Sequence, residues 1–155
     1  LTSGGYGAMG FGMGAAIGAK MGNPNKTVIH ITGDGSFRMN CNELSTEEFY
    51  RTPVITFVMN NRRLGMVRQW QELVYNERYY QTTTDRGPDF VKLAEANGLQ
   101  GFRVNNVEEL ETAINAALEA QEKGQGTVID CNIYEGELVR PMVNGGKHIT
   151  EFLVN

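Results

Sequence analysis

Four short runs rich in β-branched residues, at 27–32, 53–59, 101–104 and 127–133, each stop at a turn cluster, and helical periodicity fills the intervals between them. Buried strands that alternate with helices leave little choice of architecture. They predict an α/β domain of three layers, α/β/α, around a mostly parallel sheet. The clearest helix is 107–121, where Val107, Leu110, Ala113, Ile114, Ala117 and Leu118 share one face and Asn105 or Asn106 supplies an N-cap. A second spans 88–96, with Phe90, Val91, Leu93 and Ala94 apolar, Pro88 in the first turn and Gly98 as C-cap. Segments 37–50 and 66–76 read as helices too. Periodicity is lost from Glu135 onward, so an extended tail is expected, with domain 1–135 followed by tail 136–155.

The 155 residues fit one domain with a real core, and 41% hydrophobic against 21% charged residues is ordinary for a globular protein. A net charge of −4 without clustered Lys or Arg argues against a nucleic-acid partner. No apolar run approaches the ~20 residues of a membrane span, so no membrane partner is expected. Cys41 and Cys131 lack CxxC spacing and read as small buried side chains in a reducing compartment, not as a disulfide framework or zinc site. Leu1-Thr2-Ser3-Gly4 resembles neither a signal nor a transit peptide, and the chain reads as cut from something longer.

Glycine is in excess, 19 of 155, with much of it in the first 22 residues. Gly5-Tyr6-Gly7-Ala8-Met9-Gly10 formally matches the GxGxxG dinucleotide fingerprint. That fingerprint works on a strand–turn–helix with an acid about 20 positions later. Leu1–Gly4 is no strand, and Asn23, Pro24, Asn25 and Lys26 stand where the acid belongs. The segment reads instead as a tight loop and a helix whose small residues (Gly12, Gly14, Ala15, Ala16, Gly18, Ala19) allow close packing.

Gly33-Asp34-Gly35-Ser36 follows the first strand directly, and Asn60-Asn61 follows the second, 27 residues after Asp34. In a right-handed strand–helix–strand unit both loops leave the same edge of the sheet, where α/β folds bind ligands. Taken singly, GDG is equally a turn aspartate capping a helix, and Asn-Asn a plain turn. Together, one carboxylate and one amide form an oxygen-only donor set suited to Mg²⁺. The helix opened by Gly35 and Ser36 has free N–H groups that favour an anion. Metal and helix N-terminus side by side make a diphosphate site.

GDG, the 24 residues 36–59 and then NN resembles the thiamine diphosphate motif of the transketolase/decarboxylase superfamily. Within it, the chain is similar to the C-terminal cofactor domain of acetolactate (acetohydroxyacid) synthase catalytic subunits. The segments that carry this are 2–12, 33–37, 60–61, Leu64-Gly-Met-Val-Arg-Gln-Trp-Gln71, 88–95 and Pro141-Met142. The resemblance implies Mg²⁺ held by the side chains of Asp34 and Asn61 and the backbone carbonyl of Arg63. It implies a diphosphate on Gly33, Gly35 and Ser36, and a cofactor pocket lined by Gly7, Met9, Gly65 and Met66. Trp70, which as a residue reads as a core tryptophan of an amphipathic helix, would wall the second-substrate site. Met13-Gly14 departs from the family's usual Leu-Pro, and the tail Val143-Asn144-Gly145-Gly146 is short.

The implied activity is condensation of pyruvate with pyruvate or 2-oxobutanoate in branched-chain amino acid synthesis, in the cytoplasm. FAD in the full-length enzyme, a homodimer or tetramer and a separate regulatory subunit are implied as well. The catalytic glutamate belongs to an upstream domain, so no catalytic residue is assigned here. Glu43, Glu47 and Glu48 fall on the helix after the diphosphate loop and read as solvent or subunit contacts. Two alternatives stay open: another thiamine-dependent carboligase or decarboxylase, such as a glyoxylate carboligase, and a cofactor-binding module that catalyses nothing.

Overall fold

A computed structural model describes residues 1–143 and 145–153; Asn144, Val154 and Asn155, which fall in the tail 136–155, lie outside the described residues. The four expected strands form one parallel sheet: β1 (Ile29–Gly33), β2 (Ile55–Asn60), β3 (Gln100–Val104) and β4 (Thr127–Asn132), in the order β1-β2-β4-β3. Helices α1 (Phe11–Gly22), α2 (Asp34–Asn40), α3 (Leu44–Phe49) and α5 (Phe90–Ala96) cover one face. There Met13, Ile17, Phe37, Leu44, Phe90 and Ala94 pack on Val58 and Val128. Helix α6 (Val107–Glu122) covers the other, where Ala113 and Ala117 meet Ile55, Ile129, Val104 and Cys131. The three layers expected from the alternation are present. No described helix is long and apolar enough to cross a membrane.

Local chemistry sets the helix ends. Asn106 caps α6, its Oδ1 accepting from the Glu109 N–H at 2.8 Å, while Glu109 accepts in return from the Asn105 N–H, also at 2.8 Å. Glu109 thus reaches one residue beyond the N-cap, a variant of the capping box, in which the acid accepts from the N-cap N–H itself. Asp89 caps α5 by accepting from Val91 and Lys92 N–H, so the helix starts two residues after the expected Pro88. Gly98, at φ 84°, takes the left-handed turn that ends α5.

The expected single helix over 37–50 is two. It begins at Asp34, breaks after Asn40 and resumes as α3 beyond a 3-10 turn at Cys41–Glu43. Asn40 leaves helical geometry, and its Nδ2 donates to the Gly10 carbonyl at 3.1 Å, tying the helix to the glycine-rich loop. The helix expected over 66–76 is α4 (Gly65–Leu73), ended by a turn with Asn76 and Glu77 at positive φ. The tail carries two-residue strands, β5 (Met142–Val143) and β6 (Phe152–Leu153), paired antiparallel. Small residues in α1 matter at Gly12, where a Cβ would stand 2.3 Å from His30 Nε2; Gly14 and Gly18 face open space. Burial lowers the pKa of His30, whose Nδ1 lies 3.4 Å from the Thr56 hydroxyl.

Glu47 contradicts its reading as a surface residue. It is only 2% exposed, with Oε1 accepting from the Val54 N–H at 2.9 Å and Oε2 without a partner among the described residues. A Cβ at Gly126 would lie 1.8 Å from Oε1, so glycine there makes room for the carboxyl. Helical spacing places Glu47 on the face of the buried Leu44, three residues earlier, and only a carboxylate's ordinary preference for the surface points the other way. Burial pushes the Glu47 carboxyl up to about 8, the Glu48 charge adds to the rise, and the Val54 N–H opposes it.

The folded chain therefore holds a proton at Glu47 that the unfolded chain releases between about pH 4.5 and 8. Stability from this group is full below that interval and falls as pH rises through it. Glu47→Gln, which stands in for the protonated form, is expected to gain on wild type across the interval, by on the order of 3 kcal/mol at pH 8. Urea unfolding of both proteins at pH 5 and pH 8 measures the gain. A stability difference that does not change with pH would exclude a protonated Glu47.

Candidate functional site

β1 and β2 are adjacent and parallel, and Gly33 pairs with Met59. Asp34 and Asn60-Asn61 thus leave the sheet side by side at its C-terminal edge. Asp34 is the first residue of α2 and is 2% exposed. Its Oδ2 accepts from the Thr84 hydroxyl, and among the described residues no hydrogen bond is made to Oδ1. Asn61 Oδ1 accepts from the Arg63 N–H at 3.1 Å, and Arg62 between them takes positive φ, 57°. The turn so formed carries the Arg63 carbonyl, which also accepts no hydrogen bond from the described residues. A carboxylate, an amide and a carbonyl are hard oxygen donors of the kind Mg²⁺ takes, with water and phosphate filling its remaining positions.

The glycine-rich loop and the loop before α4 meet at Gly35. A Cβ there would stand 2.9 Å from Leu64 Cδ2 and 3.4 Å from Met9 Cε. Ser36 Oγ accepts from the Gly10 N–H at 3.0 Å, so its hydroxyl is engaged with the loop while its own proton stays available. Gly33 flanks the start of α2 in extended conformation, with open space where a Cβ would be. Gly7 turns the loop at φ 60° and donates its N–H to the Ser3 carbonyl at 2.6 Å. Gly65 packs on Asn61, whose Nδ2 lies 3.3 Å from a Cβ built there. Six of the implied cofactor residues, Met9, Gly33, Gly35, Ser36, Gly65 and Met66, therefore lie in or beside one contact region; Gly7 stands farther out on the exposed turn.

Met9 and Met66 are each 47% exposed, and Trp70 is half-buried. Trp70 lines a groove of about 430 Å³ with Val67, Gln71, Tyr75 and Arg78. It is not among the core residues, contrary to what the helix pattern alone suggests. A cavity of about 530 Å³ runs between α1 and the unpaired edge of β1 and reaches Gly33 and Ser36 but not Asp34. A recess of about 70 Å³ does border Asp34, and its wall includes Asn60, Arg62 and Thr84 in place of Asn61.

Two supports of the site had no signal in the sequence. The buried Asp130 of β4 accepts from Asn60 Nδ2 at 2.8 Å and from Arg103 Nε at 3.3 Å, and Arg103 reaches on to Asp89 at 2.7 Å. Asn60 Oδ1 is thereby left to accept from the Arg62 N–H at 3.2 Å. The segment 82–84 forms the second support through an isolated bridge between Arg63 and Thr83. It lies antiparallel to 62–64, with Leu64 N–H donating to Thr82 and Thr84 N–H to Arg62. Both connect residues far apart in sequence, and only a pattern of polar residues linked by nothing local would have shown them.

Comparison with known proteins identifies the family and the fold. The family model "Thiamine pyrophosphate enzyme, C-terminal TPP binding domain" matches residues 1–131. The chain is 45% identical over 147 residues to the acetolactate synthase isozyme 3 large subunit of Escherichia coli, covering 94% of this chain and 26% of that protein. It is 43% identical over 155 residues to the acetolactate synthase large subunit of Haemophilus influenzae, covering all of this chain and 27% of the relative. A solved structure, the thiamine diphosphate-dependent 4-hydroxybenzoylformate decarboxylase of Rhodococcus jostii, superposes with a TM-score of 0.75 at 31% identity, over 84% of this chain and 24% of its own. The chain thus spans about a quarter of the length of the relatives it matches. With a parallel sheet, a GDG loop and an Asn-Asn turn at its C-terminal edge, and a family match over residues 1–131, it belongs to the C-terminal TPP-binding domain family of thiamine pyrophosphate enzymes.

Proposed function

We propose that this chain is the cofactor-anchoring part of an acetolactate synthase, an enzyme that condenses pyruvate with pyruvate or 2-oxobutanoate. The observation that carries the reading is the placement of Asp34 and Asn61 on adjacent parallel strand ends, within a chain about 45% identical to acetolactate synthase large subunits. Thiamine diphosphate, when bound, supplies the nucleophilic carbon and the electron sink for decarboxylation of a 2-oxo acid and its ligation to a second.

The chain's own part is placement and charge. Asp34 Oδ1, Asn61 Oδ1 and the Arg63 carbonyl would hold Mg²⁺, and the cation together with the first-turn N–H groups around Gly35 and Ser36 would offset the diphosphate charge. Met9, which meets Gly35, and Met66, which follows Gly65, are both half-exposed and would face the organic part of the cofactor. Trp70 would border the second 2-oxo acid. FAD, a homodimer or tetramer, a regulatory subunit and a cytoplasmic setting belong to the same reading of the full-length protein.

Asp34→Ala in the full-length protein is expected to weaken Mg²⁺-dependent binding of thiamine diphosphate by on the order of 100-fold, with an unchanged far-UV circular dichroism spectrum. Asn61→Ala should give a smaller loss, about 10-fold, since a neutral amide attracts the cation less than a carboxylate does. Calorimetric titration with cofactor at fixed Mg²⁺ reads both. Undiminished affinity in Asp34→Ala would reject the site. In the wild-type protein, pyruvate should yield 2-acetolactate; release of CO₂ and acetaldehyde without ligation would make it a decarboxylase instead.

Residues 1–155 alone are expected to unfold cooperatively yet form no acetolactate from pyruvate, because no glutamate of the site region is free to act on the cofactor. Of the nearby glutamates, Glu47 is buried away from the sheet edge, and Glu43 holds Thr46 at 2.7 Å. Tyr6, Met9, Phe11, Met66, Ile29 and Ile31 are all at least 44% exposed, so the fragment should also self-associate in sedimentation experiments. Acetolactate from the purified fragment would overturn the placement of the catalytic acid elsewhere.

A further inference from the structure

Thr84 makes contact with both halves of the site at once. Its hydroxyl donates to Asp34 Oδ2. Its N–H donates to the Arg62 carbonyl at 2.9 Å, inside the turn between Asn61 and Arg63. Its own carbonyl accepts from Arg38 Nη1 at 3.2 Å and from the Gly87 N–H at 3.1 Å. Arg38 lies one turn beyond Asp34 on α2, so the loop around Thr84 is fastened to the helix that carries the carboxylate and to the turn that carries the amide.

The backbone bonds would form with any residue but proline at this position. The hydroxyl contact would not. A buried carboxylate held at one oxygen presents the other in a fixed direction, and a cation binding there has no rotational freedom left to remove from it. We propose that Thr84 is a positioning residue for the metal-binding carboxylate: its hydroxyl occupies Asp34 Oδ2, reserves Oδ1 for the cation, and fixes the distance from Asp34 to the Asn61–Arg63 turn. This rests on the reading of Asp34 and Asn61 as metal ligands.

The test is Mn²⁺ binding to the full-length protein in saturating thiamine diphosphate, with free Mn²⁺ followed by electron paramagnetic resonance. Wild type is compared with Thr84→Val, which keeps the shape and the backbone bonds, Thr84→Ser, which keeps the hydroxyl, and Asp34→Ala. The expected result is a roughly 10-fold or greater loss of Mn²⁺ affinity in Thr84→Val, and affinity within about 3-fold of wild type in Thr84→Ser. Asp34→Ala should lose Mn²⁺ affinity by about 100-fold or more. If Asp34→Ala loses Mn²⁺ while Thr84→Val binds it as wild type does, the Thr84 role is overturned and the site reading stands. If Asp34→Ala binds Mn²⁺ normally, the site reading fails and the proposal with it. Should valine disturb the loop, Thr84→Ala against Thr84→Ser repeats the comparison, and equal affinities in that pair overturn the proposal.

Discussion

The parallel register between β1 and β2, with Gly33 opposite Met59, is the constraint on which the candidate site depends. It brings Asp34 level with Asn60 although 26 residues separate them, and it does so through backbone hydrogen bonds that no side chain has to maintain. A slip of β1 by one residue would turn His30 to the face opposite Thr56, its partner in the register, and would offset the two loops. The register is held from both sides. Met13, Phe37 and Val58 lock one face, and Ile55, Ile129 and Ala117 lock the other. The edge from which the site projects is therefore the end of a rigid core, while the groups that would meet a ligand stand on loops.

Those loops are held by polar contacts that would be costly if left unpaired. Asp130 is 2% exposed and directs both Asn60 and Arg103, and Arg103 returns to Asp89 at the cap of α5. Arg103 shows the balance: burial alone would lower its pKa, but the hydrogen bonds and charges of Asp130 and Asp89 outweigh that and raise it. The network thus joins the Asn-Asn turn to β4, β3 and the N-cap of α5. Glu47 is the contrasting case, a buried carboxyl with one backbone donor and, among the described residues, no cation paired with it, and burial keeps it protonated below about pH 8.

What the sequence makes legible follows the range of the forces involved. The strands show because β-branched runs and turn clusters are local, and each was placed within two residues at either end. α6 shows because its apolar face and its Asn-x-x-Glu cap lie within one segment. GDG and Asn-Asn are visible because their spacing is itself the geometry of a strand–helix–strand unit. The break after Asn40 was not visible, since the acceptor that draws that side chain away is the carbonyl of Gly10, 30 residues earlier. The hold of Thr84 on Asp34 spans 50 residues. Polar contacts of that range leave no periodic trace in one sequence, whereas the hydrophobic layers they fasten do.

β1 shows the same distinction in reverse. Along the strand, His30 is buried against α1 while Ile29 and Ile31 are 55% and 72% exposed, so the polar residue points inward and the apolar ones outward. Their register partners Ile55 and Phe57 lie under α6, but α6 does not extend over β1. A parallel sheet is ordinarily covered on both faces, and full burial of an isoleucine contributes about 1.5–3 kcal/mol. As a solvent face, this arrangement gives up that stabilisation twice over and gains nothing, because the outward residues make no polar contact. An apolar surface lying over it would recover that stabilisation. The relatives, about four times as long as these 155 residues, have chain enough to do so. The uncovered half of β1 and the half-exposed Met9 and Met66 are then two parts of one condition: the domain's core is complete around β2 and β4, and its apolar margin lies along β1 and the loops at the site.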